Sequence, residues 1–138
     1  MPDAPLAPFS ILSEYGLIVI EDQPELNAQA SHAIMDALEY HPHDTTRYHV
    51  LVDVSRFTAN ISPEELDAII ERLRAIQASA QNLKCAIVAQ VDRTFAQSRM
   101  FQQMADGLIP YKTKVFRSHQ EACHWIGVSH TILRKSRS

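Results

Sequence analysis

The side chains equipped for chemistry fall in a few short runs. His41-Pro42-His43-Asp44 puts two imidazoles two positions apart with a carboxylate beside them. Imidazoles so spaced in an extended loop can share a metal ion, the carboxylate serving as third ligand. Neither HExxH nor a cysteine-containing ligand spacing accompanies them. The simpler reading is a polar loop after a helix, so no metal and no other cofactor is expected. Asp53 and Ser55 close one apolar run, and Gln90, Asp92 and Arg93 close another. If both runs are parallel strands, these residues gather at the carboxyl ends of a sheet, where open α/β sheets bind ligands. Arg99 and Arg117 can reach the same rim, and a guanidinium there offers paired donors to an anion. The competing reading is structural: Asp in such loops satisfies backbone amides, and an Arg stem covers apolar surface. No GxSxG nucleophile elbow occurs, and Cys85, inside Cys85-Ala86-Ile87-Val88-Ala89, is expected to be buried and poorly reactive. The expectation is a chain that is not an enzyme.

Glycine narrows the field further. The 138 residues contain three, Gly16, Gly107 and Gly127. They lie too far apart for GxGxxG or GxxxxGK[ST], which excludes nucleotide binding through those phosphate-cradling loops. The formal net charge is −3, and the basic cluster is the tail Arg134, Lys135, Arg137. That is no nucleic-acid footprint, so DNA and RNA are not expected as partners. Two cysteines without a CxxC suit a reducing compartment. The Pro-rich lead, residues 1–8, lacks a basic and then apolar signal pattern, and no apolar run approaches the roughly 18 residues of a membrane span. A cytoplasmic protein with no integral membrane segment is expected, built as a single domain over residues 1–138 with an ordered core of about 9–128.

The elements that must position these side chains alternate. Phe9–Glu14 and Leu17–Ile20 read as a hairpin about Tyr15-Gly16. Asn27 caps a helix running to about Tyr40, with Ala30, Ala33, Ile34, Ala37, Leu38 and His41 as its apolar stripe. Val50–Val54 and Leu83–Ala89 are continuously apolar, as strands covered on both faces are. Between them, Ser62-Pro63-Glu64-Glu65 opens a helix with a capping box and Pro at its first position. Leu66, Ile69, Ile70, Leu73 and Ile76 form its buried stripe, and Glu64, Asp67, Glu71, Arg72 and Arg74 its wet side. Asp92 or Thr94 caps the next helix, in which Ala96, Met100, Met104 and Leu108 recur every fourth residue as core filler, beside Phe101 and Ala105. Tyr111–Phe116 is a strand whose Lys112 and Lys114 suit a sheet edge. Ser118-His119-Gln120-Glu121 is a second capping box, opening a short helix that buries Ala122, Trp125 and Ile126 and closes on Gly127. The order β-β-α-β-α-β-α-β-α gives an α/β fold, a mixed sheet of about five strands covered by about four helices.

This order resembles the STAS fold of anti-sigma-factor antagonists and, more closely, the SpoIIAA-like (STAS/SEC14-type) bacterial domains. The resemblance is carried by Val50-Leu51-Val52-Asp53-Val54-Ser55, Lys84-Cys85-Ala86-Ile87-Val88, Arg99-Met100-Phe101 and Val115-Phe116-Arg117, with Glu121-Ala122 and Trp125-Ile126-Gly127. It spans about Tyr15 to Gly127. It implies a regulatory domain in which a phosphorylatable Ser or Thr opens the helix after the strand ending in Asp-hydrophobic-Ser, a position near Ser62. The family's Asp-Ser-Ser-Gly run is absent, and Pro63-Glu64-Glu65 follows Ser62 instead. Those carboxylates repel a phosphate while the helix N-terminus attracts one, so Ser62 is read as an N-cap and the phosphoswitch is not carried over.

Two function classes remain. In the first, the 55–62 loop (Ser55, Thr58, Ser62), the rim residues Asp53, Asp92, Arg93 and Arg99, and the Met100-Phe101-Met104 side of the third helix dock a protein partner or a second copy of the chain. In the second, a small apolar molecule or lipid enters a pocket between the Met-rich helix and the sheet, as the SEC14-like side of the resemblance implies. A cavity of about 300 Å³ or more favours the second, an exposed apolar patch the first.

Overall fold

The computed structural model of the chain describes residues 9–20, 28–39, 45–54, 61–77, 80, 82–129 and 131. The strands are β1 (Phe9–Leu12), β2 (Leu17–Ile20), β3 (His49–Asp53), β4 (Leu83–Val88) and β5 (Tyr111–Phe116). The helices are α1 (Ala28–Glu39), α2 (Pro63–Ile76), α3 (Asp92–Ala105) and α4 (His119–Ile126). The strands form one sheet in sequential order, β1-β2-β3-β4-β5. β1 runs antiparallel to β2, with Phe9 opposite Ile20, and the other neighbours are parallel.

Strand pleating sorts the apolar residues onto two faces. Ile18, Ile20 and Val50 pack with Ile34 and Leu38 of α1, and Ile87 and Val115 with Phe95 and Phe101 of α3. Successive right-handed crossovers between neighbouring parallel strands put their helices on one face, so α1, α2 and α3 line up there. On the other face, Leu17, Val19, Leu51, Ala86 and Val88 pack against Ala122, Cys123 and Ile126 of α4. Among the described residues, α4 is the one helix on that side.

Local signals set several boundaries. Ser62 Oγ accepts from the Glu65 amide at 3.1 Å, and the Glu65 carboxylate accepts from the Ser62 amide at 2.9 Å, with Pro63 at the first helical position. β1 ends at Leu12 rather than Glu14, because Ser13–Tyr15 wind into a 3-10 turn. Gly16 closes that turn with φ +60°, a left-handed conformation that costs a glycine little. β3 begins and ends one residue earlier than the apolar run suggests, at His49 and Asp53. Asn27 and His41, expected at the ends of the first helix, lie outside the described residues.

Four expectations are corrected by the observed contacts. Arg72 is not on a wet face: it donates to the His32 carbonyl at 3.1 Å, pairs with Asp36, and lies 3.7 Å from Glu39, tying α2 to α1. Neither Asp92 nor Thr94 caps α3. Val91 holds the N-cap position with no side-chain bond, and buried Thr94 donates its hydroxyl to the Val91 carbonyl. The second capping box forms by half. Ser118 Oγ accepts from the Glu121 amide at 3.2 Å, while the Ser118 hydroxyl, rather than its amide, donates to the Glu121 carboxylate at 3.1 Å. Trp125 is half-buried rather than core, with its ring centroid 5.6 Å from that of Phe116 and the Lys84 ammonium donating to its carbonyl at 2.8 Å.

One strand-end contact gives a pH dependence. The Lys84 amide donates to Nδ1 of His49 at 2.9 Å, so that nitrogen must be unprotonated. Burial, and then the nearby Lys84 ammonium, hold His49 below its ordinary 6.5. The unfolded chain therefore takes up the proton first as pH falls. The contribution is complete above 6.5 and is lost as pH drops towards the lowered folded value. Urea midpoints are expected to fall from about pH 7 to about pH 5 by more in the wild type than in His49→Asn, which keeps an acceptor but cannot titrate. Equal falls would remove His49 as the source.

Candidate functional site

The carboxyl ends of β3, β4 and β5 form one rim of the sheet, the place where open α/β sheets bind ligands. β3 delivers Asp53, which is only 4% exposed and points to the α4 face. α4 delivers His119 from its first turn, just past the Ser118 cap. The Nε2 of His119 lies 2.6 Å from Oδ2 of Asp53, joining residues 66 apart in the chain. A carboxylate so enclosed requires a donor, and the imidazole N–H supplies one. Next to this pair, Arg117 leaves β5 and lies 4.0 Å over the Phe95 ring. It donates to the Gln90 carbonyl at 3.3 Å and meets Asp92 at 2.9 Å. Asp92 and Arg117 are both well exposed, so their ion pair contributes about 0–1 kcal/mol.

The residues nominated from sequence are thus divided. Asp53 and Asp92 both stand at the rim but are engaged with different partners, His119 and Arg117. Ser62 lies at the start of α2 with its hydroxyl occupied by the capping box. Arg93 and Arg99 are exposed on α3. Ser55, Thr58 and the His41, His43, Asp44 cluster lie outside the described residues. Among the described residues, no three His, Cys, Asp or Glu side chains gather as a metal site. His119 was not singled out by sequence reasoning. Its signal was topological: it follows a parallel strand directly, as Asp92 does.

α3 differs most from its expected orientation. Thr94, Ser98 and Ala105 are buried and Phe101 is half-buried, a spacing of i, i+4, i+7, i+11 that keeps one face to the sheet. The four-residue series rotates about 40° around the helix at each step, so it cannot stay on that face. Ala96, Met100 and Leu108 are exposed and Met104 is half-buried. The largest exposed apolar side chains of the described residues are Val91, Met100 and Leu108, at 50%, 41% and 40%. All three belong to α3 or its flanks.

The inward face of α3 is correspondingly undersized. Apart from Phe101, hydroxyls and an alanine stand where a core-facing helix ordinarily carries Leu or Ile. Beneath it, between the sheet and α1–α3, is an apolar pocket of about 180 Å³. Ser98, Thr94 and Phe101 contribute to its α3 wall, Cys85 and Ile87 to its sheet wall, and Leu66 and Ile69 to its α2 wall. The pocket is partly open to solvent rather than sealed. Burial pushes the Cys85 thiol up to about 12, so it stays protonated and unreactive.

With this geometry the comparison with solved structures is direct. The NMR structure of the protein TM1081 is similar, with a TM-score of 0.54 at 16% sequence identity over 91% of this chain and 92% of that chain. The likeness is one of fold. Both the sheet and its helical cover are those of an α/β fold, here a five-stranded mixed sheet with four helices. No family model matches the chain, and no curated protein matches it. None of the helices is long and apolar enough to cross a membrane, among the described residues.

Proposed function

We propose that this chain is a non-enzymatic regulatory or protein-interaction domain of the STAS/SpoIIAA-like type, which docks a protein partner on the outer face of α3. The observation that carries this reading is the exposure of Val91, Met100 and Leu108 along that helix and its flanks. Exposed apolar side chains are candidate contacts for a partner, and methionine suits a surface that must adapt to one. Arg99, exposed next to Met100 in the sequence, favours an acidic group on the partner. The rim supports the same reading. Its polar groups hold one another, Asp53 with His119 and Asp92 with Arg117, as ties between elements. Both cysteines are free, which fits a cytoplasmic setting.

Met100→Glu combined with Leu108→Glu tests this. Both side chains are exposed, so stability is expected to change by less than about 0.5 kcal/mol. Affinity capture from the native host, read by mass spectrometry, is expected to lose its partner with the double variant. Sedimentation of the wild type shows whether that partner is a second copy. An identical set of captured proteins for both chains, with a wild type that stays monomeric, would overturn the reading.

A further inference from the structure

We propose that the pocket beneath α3 is a binding site for a small, uncharged, apolar molecule about the size of a single aromatic ring. Three observations carry this. The first is size. The pocket, partly open to solvent, holds about 180 Å³, close to the roughly 150 Å³ of an enclosed apolar cavity that accepts benzene or xenon. A drug-sized ligand calls for about 300 Å³ or more, and a long acyl chain exceeds the space as well. The pocket therefore favours a compact ligand over the lipid that the SEC14-like resemblance suggests.

The second is chemistry. None of the described residues lining the pocket is charged. Its ionisable members are Cys85 and Tyr111, and burial raises both, so both are neutral at physiological pH. A charged ligand entering this lining would lose its hydration without a counter-ion. The few polar groups, among them the Ser98 hydroxyl on α3, can at most orient one neutral polar atom.

The third is the placement of residues. α3 carries a side chain able to fill the space, yet Met100 is exposed while Thr94 and Ser98 are buried against the pocket. Protein interiors pack as densely as organic crystals. A single Ser98→Leu exchange would place a branched apolar side chain in the void without changing the helix register. Small side chains at Thr94 and Ser98 leave the α3 wall of the pocket short of bulk. The site lies on the opposite side of α3 from the docking face, and it stands whether or not that face binds a partner.

The test uses the full chain and benzene, with palmitate as the oversized probe. Benzene at about ten times its dissociation constant is expected to raise the melting temperature by about 5 °C. It should also shift the amide resonances of Ile87, Ser98 and Phe101. Ser98→Leu is expected to weaken benzene binding at least tenfold and to melt higher than the wild type without ligand. Ser98→Val, a smaller filling, should do both to a lesser degree, and it provides the comparison if the leucine variant does not fold. Absence of any benzene response in the wild type overturns the proposal, as does an equal response in the wild type and the filled variants. Palmitate shifting the same three resonances as strongly as benzene overturns the size assignment.

Discussion

Leu51→Ala is expected to lower the unfolding free energy by about 4 kcal/mol, near the upper end for Leu-to-Ala exchanges in well-packed cores. Leu51 sits on the middle strand of five, in register between Val19 of β2 and Ala86 of β4, and is fully buried. Its side chain belongs to the face covered by α4, with Ala122, Cys123 and Ile126. That cover is eight residues long and supplies small side chains at two of those three positions. It has little bulk with which to collapse into the space a truncated Leu51 leaves, and the cost depends on how well a site can collapse. Trp125, the chain's single tryptophan, lies on the same helix and reports the transition by fluorescence in urea. Leu108→Ala is the control. That side chain is exposed, and its loss should stay within about 0.5 kcal/mol. Equal effects for the two variants would mean that α4 does not rest on Leu51.

What the sequence reveals about this fold follows the range of the interactions involved. The capping box at Ser62 and Glu65 joins residues three apart, so four consecutive letters announce it. The bounds of β5 and the use of Gly127 at the end of α4 are likewise local. The continuous apolar runs of β3 and β4 announce burial on both faces, and the alternation of elements then leaves few arrangements open. Arg72 shows where such reasoning stops. On its own helix it occupies a charged position, and what buries it is His32 and Asp36, 40 and 36 residues earlier. α3 shows a second limit. Its large residues recur every fourth position and suggest a core stripe, but the sheet selected a different and smaller face. A helix alone does not record which of its faces will meet the sheet. The rim is intermediate. The rule for parallel sheets placed Asp53 and Asp92 there, yet the partner of Asp53 comes from α4, and only the assembled topology brings the two together. The pocket was legible only as an alternative, because a void is the difference between two packed surfaces and no single segment carries it.

His119→Ala is expected to cost about 2 kcal/mol, the loss of a hydrogen bond to a charged and enclosed group. Truncating the imidazole removes the donor 2.6 Å from Asp53 and leaves that carboxylate behind in a nearly closed setting. Asp53→Ala should cost more, because Asp53 has at least one interaction besides that with His119. The double variant separates the shared part. If the pair ties β3 to α4, the two losses will not add, and the double-mutant cycle should return a coupling of about 1–2 kcal/mol. Additive losses would mean that the short contact contributes nothing of its own. The coupling also bears on what the rim is for. A histidine whose donor is committed to fixing the start of a helix has one ring nitrogen left, and the interaction reading requires no more of it than that. His119→Asn at full stability, with partner capture unchanged, would agree with a structural tie. Loss of capture at full stability would instead place His119 on the docking surface, extending that surface from α3 around the rim to α4.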